Sequence, residues 1–277
     1  MKMRKIAFIG CGSMAEAMIS GIIANNYVQA DQITIMNKNN HERRMEMVDK
    51  YGIRATTDYH QLLQDASIIV LAVKPQHIFE ALSAAKPFIN KKKLILSVAA
   101  GITTHTIEDI IGEAIPIVRS MPNTSAAVGK SATAMSMNSH TSERQIKTAK
   151  ELLETFGNAI IVEEAQLDSV TGLSGSGPAY IYYLVEAMEE AAAKIGLDQT
   201  SAKALIVQTL SGAAEMLQQS PKSPATLRKE VTSPGGTTEA GLQVLQAHKV
   251  NEAIMDCIIA ASEKSKQLGK KLTAEAK

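Results

Sequence analysis

The stretch Lys5-Ile6-Ala7-Phe8-Ile9-Gly10-Cys11-Gly12-Ser13-Met14-Ala15-Glu16-Ala17-Met18 decides how the rest of the chain is read. Ile6 to Ile9 is an apolar run of strand length. Gly10 and Gly12 follow as a tight turn, and Met14, Ala17, Met18 and Ile22 open a helix with one apolar face. Strand, G-x-G-x-x-A and helix in that order form the dinucleotide-binding fingerprint in its Ala variant. Gly10 makes the turn, Gly12 lets backbone approach a pyrophosphate, and Ala15 is small enough for the helix to lie close on the strand. The helix N-terminus offers unpaired N–H groups and the positive end of its dipole to the phosphates. The alternative is a plain βα turn with nothing bound.

Outward from that turn, strands and helices alternate. Ile33 to Met36 reads as a second strand ending at Asn37, 25 residues past Gly12. A carboxylate here would bond a ribose 2′-hydroxyl and repel a 2′-phosphate. Asn37, followed by Lys38, Arg43 and Arg44, favours NADP(H) and leaves NAD(H) possible. The alternative for these cations is a solvated helix start. Ser67 to Val73 is apolar on both faces after Ser67, as in a parallel sheet, and ends at Lys74-Pro75. Leu94 to Ser97 is another strand, running through Val98, Ala99 and Ala100 into Gly101. Strands are also expected over Ile115–Arg119, Ala132–Met137 and Ala159–Val162. Helices are expected over Glu42–Tyr51, Gln76–Lys86, Thr103–Ile111 and Thr141–Phe156.

Beyond Glu163 the strand pattern stops. Tyr180, Ile181, Leu184, Val185, Met188, Ala192 and Ile195 repeat at helical spacing, as do Leu205, Ile206, Leu210, Ala213, Met216 and Leu217. Helices this apolar in so short a segment call for a second subunit to cover them. Residues 1–162 are therefore expected to be a Rossmann-like nucleotide-binding domain, and 163–277 an all-helical dimerisation and substrate domain. Two glycine-rich marks interrupt the helical half. Thr171 to Tyr180 leads into Pro178 at a helix start. Val231-Thr232-Ser233-Pro234-Gly235-Gly236-Thr237-Thr238 is a turn that presents backbone N–H groups ahead of another helix, a seat for a small carboxylate.

Composition narrows the partners. The chain is 45% hydrophobic and carries 29 basic against 28 acidic residues, which argues against nucleic acid or an anionic membrane surface as partner. Cys11 and Cys257 make neither a disulfide framework nor a metal-ligand spacing, and no metal is expected. No leader segment and no long apolar run are visible, so a cytoplasmic setting is expected.

With these motifs laid out, the chain resembles the pyrroline-5-carboxylate reductases. Gly10–Ala15, Ala72-Val73-Lys74-Pro75, Met121-Pro122-Asn123-Thr124, Thr171–Tyr180 and Val231–Gly241 carry the resemblance over the whole length. It implies hydride transfer from NAD(P)H to the C=N carbon of 1-pyrroline-5-carboxylate, giving L-proline, by a homodimer or a ring of dimers. Ile9, Gly10, Cys11, Gly12, Ser13 and Met14 would then hold the pyrophosphate, and Asn37 with Lys38 would meet the 2′-phosphate end. Ala72, Val73, Lys74, Pro75, Val98, Ala99 and Ala100 would flank the ribose and nicotinamide. Val231, Gly235, Gly236, Thr237 and Thr238 would hold the substrate, with Thr238 bonding the ring nitrogen and Glu164 stabilising an iminium charge. Tyr59, Lys38 and Ser125 depart from the residues usual in the family. Competing readings are a related imine or 3-hydroxy acid reductase and a non-catalytic NADP(H)-binding regulator. The first would carry a catalytic Lys on a second-domain helix, and the second would have lost the substrate turn.

Overall fold

The computed structural model describes residues 4–112 and 114–275. The first half runs β1 (Ile6–Ile9), α1 (Ser13–Ala24), β2 (Ile33–Met36), α2 (His41–Tyr51), β3 (Arg54–Thr56), α3 (Tyr59–Leu63), β4 (Ile68–Leu71), α4 (Ile78–Ala85), β5 (Leu94–Ser97), α5 (Thr104–Ile111) and β6 (Ile117–Met121). It continues through β7 (Ser131–Met137), α6 (Glu143–Leu153), β8 (Gly157–Ile161) and α7 (Leu167–Val170). One sheet holds all eight strands in the order β3-β2-β1-β4-β5-β6-β7-β8. The run from β3 to β6 is parallel, β7 lies antiparallel to β6, and β8 is parallel to β7. This is the Rossmann-like sheet the motifs predict.

The continuous apolar strands have a direct cause, since both faces of the sheet are covered. Ile6, Phe8, Val70 and Leu96 point to one core, where α1 packs through Ala15, Met18, Ile19 and Ile22 and Phe156 closes the edge. Ala7, Ile9, Ile69, Leu71 and Ile95 point to the other, against Ile78 and Leu82 of α4 and Ile107 of α5. Buried Ala15 lets α1 approach, and so does Gly21, whose added Cβ would lie 2.7 Å from the Cβ of Phe156. Two short elements were not anticipated. β3 is three half-buried or exposed edge residues, and α3 is one turn begun by the Asp58 cap. The expected strand at Ile115–Arg119 lies at Ile117–Met121 instead.

The helical half comprises α8 (Gly177–Lys194), α9 (Gln199–Gln219), α10 (Pro224–Glu230), α11 (Thr237–Ala247) and α12 (Val250–Glu275). By packing, the chain forms two compact units: the residues up to Pro178 together with those from Ile259 onward, and Ala179–Ile258. The last turns of α12 thus belong with the sheet. Gly269 lies so close to Gly101 that a Cβ on either would meet the other's backbone within 3 Å, and Ser265 donates to Asp168 at 2.8 Å. A cut by sequence pattern at residue 162 and a cut by packing are therefore different divisions of this chain.

The smaller unit keeps many large apolar side chains exposed: Ile181, Tyr182, Tyr183, Leu184, Leu205, Val207, Met216, Leu217, Val244 and Leu245. Apolar exposure on this scale marks an association surface. No helix among the described residues is long and apolar enough to cross a membrane.

Candidate active site

The strand ends are stitched together around the glycine turn. The Gly10 N–H donates to Met36 O at 2.8 Å, that of Ala72 to Ile9 O at 2.9 Å, and that of Val98 to Leu71 O at 3.1 Å. β1 and β4 are neighbours from which the sheet is built in opposite directions, so a crevice opens at their carboxyl ends. A cleft of about 340 Å³ lies there. Ile9, Gly10, Cys11 and Gly12 line it from the turn, Asn37 and Lys38 from the end of β2, and Ala72, Val73 and Lys74 from the end of β4. Ser13 and Met14 head α1 beside it, while Pro75, Val98, Ala99 and Ala100 are not among its lining residues. A smaller hollow at the opposite ends of β1 to β3, lined by Asp31, Arg54 and Asp65, holds none of the expected residues.

The two glycines do different work. Gly10 has φ +104°, and a Cβ there would lie 2.5 Å from Ala72 O, so only glycine fits. Gly12 has φ −74°, and a Cβ there would meet nothing within 4 Å. Its open side faces outward from a helix start with no side-chain cap, which leaves the first N–H groups of α1 available to an anion. Lys74 is exposed, and its ammonium has no hydrogen bond or ion pair among the described residues. Open backbone, helix dipole and cation suit a pyrophosphate.

At the end of β2, Asn37 organises the loop. Its Oδ1 accepts from the N–H groups of Asn39 and Asn40 at 3.3 and 3.2 Å, and its Nδ2 donates to Cys11 Sγ at 3.4 Å. Arg43 and Arg44, read from sequence as cations for a phosphate, are engaged elsewhere. Arg43 Nε donates to Cys11 O at 3.1 Å, its guanidinium pairs with Glu16 and Glu46, and Arg44 donates to Asn37 O. Glu16, on the first turn of α1, also accepts from Lys50 Nζ at 2.9 Å and Tyr51 Oη at 3.1 Å. Lys50, then Arg43 and Tyr51, hold its carboxyl at about 2 against the usual 4.5, overcoming the burial that opposes them. This network clamps α2 to the glycine turn. It was invisible in the sequence because Glu16 stands 27 residues before Arg43 and on a different helix. Lys38 is left at the cleft, with its Nζ 2.9 Å from Glu80 Oε1.

Glu164 lies in a second polar cluster. Its Oε1 accepts from the Thr104 N–H and its Oε2 from the Thr104 hydroxyl, both at 2.7 Å. Arg119, 4% exposed in β6, reaches Glu164 and Asp168 at 3.5 Å each. These contacts join α5, β6 and α7, and Ser265 adds α12. Arg119 was read only as the end of a strand, and Asp168 carried no motif that would single it out. Two of the separated motifs also meet: Asn123 Nδ2 donates to Ser174 O at 3.0 Å, within a π-helical turn over Thr171–Gly175.

The second glycine turn lies wholly in the smaller unit. Val231 ends α10, exposed at 68%. Gly235 takes φ +70°, and the Gly236 N–H closes the turn on Ser233 O at 3.0 Å. Gly236 precedes α11 without a side-chain cap, so Thr237 and Thr238 head that helix, both exposed. Glu239 folds back, and its Oε2 accepts from the Gly235 N–H at 2.8 Å. The turn therefore already receives one carboxylate oxygen on its backbone.

Known proteins can now be set beside this geometry. A family pattern described as pyrroline-5-carboxylate reductase dimerisation matches residues 164–268, and one described as NADP oxidoreductase, coenzyme F420-dependent, matches residues 5–101. Pyrroline-5-carboxylate reductase 2 of Bacillus subtilis is 48% identical over 266 residues, 96% of this chain and 95% of that protein. A pyrroline-5-carboxylate reductase structure from Coxiella burnetii superposes with a TM-score of 0.89 at 37% identity, covering 96% of this chain and 99% of that one. The Plasmodium falciparum pyrroline carboxylate reductase, solved with NADP bound, gives 0.88 at 29% identity, covering 97% and 99%. With near-complete mutual coverage at this identity, the chain belongs to the pyrroline-5-carboxylate reductase family.

Proposed function

We infer that this protein reduces 1-pyrroline-5-carboxylate to L-proline, the last step of proline biosynthesis, with NADP(H) as the preferred cofactor and NAD(H) as the weaker alternative. Near-full-length likeness to reductases of this name supports the activity, and the NADP-bound relative supports the cofactor. The observation in this molecule that carries the reading is the Gly235–Thr238 turn, whose backbone receives a carboxylate oxygen from Glu239. A substrate carboxylate asks for the same kind of donor.

NADPH, when bound, supplies the hydride that reduces the C=N bond. Gly10 to Met14, with Ile9 behind them, hold its pyrophosphate, and Asn37 and Lys38 meet its 2′-phosphate end. Ala72 to Pro75 and Val98 to Ala100 flank the ribose and the nicotinamide. Val231 and the Gly235–Thr238 turn seat the substrate. Thr237 and Thr238 offer it the free N–H groups of a helix start, and the Thr238 hydroxyl bonds the ring nitrogen. Glu164 is a weaker candidate for stabilising the iminium charge, since Thr104 and Arg119 already engage both its oxygens. The exposed apolar side chains of α8, α9 and α11 support a homodimer, or a ring built from such dimers. A cytoplasmic setting fits the two unpaired cysteines.

The test is a spectrophotometric assay of NADPH oxidation on adding pyrroline-5-carboxylate, with proline identified as the product. NADPH consumption that depends on the substrate is expected. Its absence from a folded, NADPH-binding preparation would refute the reading.

A further inference from the structure

We propose that Glu80 is a specificity-determining residue for the cofactor, its carboxylate competing with the 2′-phosphate for the Lys38 ammonium. The proposal rests on the reading of Lys38 as the phosphate contact and adds an opposing group to it. Lys38 follows β2, Glu80 sits in the first turn of α4, and both line the cleft at the strand ends. Nζ and Oε1 are 2.9 Å apart, so the pair spans the cleft wall. The two arginines that could share the task are committed to Glu16, Glu46 and backbone carbonyls. Lys38 is therefore the cation held at this strand end, and it faces a carboxylate.

Both side chains are about 70% exposed, at 70% and 68%. An exposed pair of this kind contributes little to folding and opens readily. What persists after opening is the negative charge of Glu80 on the same cleft wall as Lys38. That charge opposes a 2′-phosphate carrying nearly two negative charges and leaves a neutral 2′-hydroxyl unopposed. Of the lining groups that could oppose the carboxylate, Lys74 lies at the other strand end, after β4, and His77, three residues before Glu80, helps Lys38 to hold the Glu80 carboxyl below the usual range and so keeps it charged. Tyr59 is held in its neutral phenol form by burial. Glu80 therefore narrows the margin between the phosphorylated and unphosphorylated cofactors without touching the rest of either molecule.

The experiment is calorimetric titration of the intact protein with NADP⁺ and with NAD⁺ at low salt, for wild type, E80Q, K38M and the double variant. E80Q is expected to tighten NADP⁺ by about 3- to 10-fold and leave NAD⁺ within about twofold, the scale of one unscreened charge at this range. K38M is expected to weaken NADP⁺ alone, and E80Q should gain less in that background. If K38M is selective while E80Q leaves NADP⁺ unchanged, weakens it, or moves both cofactors together, the role of Glu80 is overturned and Lys38 keeps its own. If K38M fails to discriminate the cofactors, the phosphate contact is elsewhere and both assignments fall.

Discussion

Replacing Glu16 with Gln tests the clamp between the glycine turn and α2. The carboxylate is 21% exposed and accepts from Arg43, Lys50 and Tyr51, which together lower its pKa from 4.5 to about 2. At about 1.36 kcal/mol per pH unit, that displacement corresponds to roughly 3 kcal/mol at neutral pH as an upper bound. Solvent at the Lys50 side and side-chain entropy reduce it, and a loss of about 1–3 kcal/mol is expected for E16Q. The sign of the pH dependence follows from the depressed pKa. The stabilisation is complete above the unfolded value of 4.5, shrinks as pH falls below it, and is gone below about 2. Urea unfolding at fixed protein concentration should therefore show a wild-type advantage that is constant from pH 8 down to about 5.5 and more than halved by about pH 3. An E16Q protein as stable as wild type at pH 7, or a difference that does not change with pH, would refute the reasoning.

Other outcomes follow from the same geometry. Gly10→Ala forces a Cβ to 2.5 Å from Ala72 O at φ +104° and should lower stability by about 2–4 kcal/mol. Gly12→Ala adds a Cβ into open space and should leave the melting temperature within about 2 °C while weakening NADPH at least about tenfold, so calorimetry separates the two glycines. Asn37→Asp keeps both acceptor bonds to the loop but adds a charge, and its Kd for NADPH should rise several times more than that for NADH. Thr238→Ala should lower kcat/KM by about 1–3 kcal/mol with NADPH affinity unchanged. Sedimentation at micromolar concentration should show no folded monomer; a stable, active monomer would remove the shared helical surface.

What could be read in advance divides along physical lines. β1, β4 and β5 announced themselves because burial on both faces leaves unbroken apolar runs such as Ile68–Leu71, and Gly10 because its backbone tolerates no other residue. β3 did not, since Arg54–Thr56 is a short edge with no apolar signal. The helical half was legible as helices, and its unpaired apolar faces were legible as a need for a partner. Charged partnerships were not. Arg43 and Arg44 look like phosphate ligands in a list of cations. Only the return of α2 against α1 hands them to Glu16 and to the carbonyls of Cys11 and Asn37. Glu80 lies inside an expected helix, and nothing in the pattern singles it out until the cleft sets it opposite Lys38; Arg119 is a strand residue until two carboxylates converge on it.

The contact between Gly101 and Gly269 bears on how the protein is made. Synthesis proceeds from the N-terminus and domains generally fold as units during it, yet the unit containing the sheet includes residues from Ile259 onward. Every strand can be in place while the backbone of Gly101 still lacks its neighbour and Asp168 lacks the hydroxyl of Ser265. The nascent chain must therefore emit the whole intervening helical unit, with its exposed apolar faces, before the nucleotide unit is finished. A fragment ending at residue 178 should be a poor stand-in for that unit, recoverable by supplying residues 259–271 in trans.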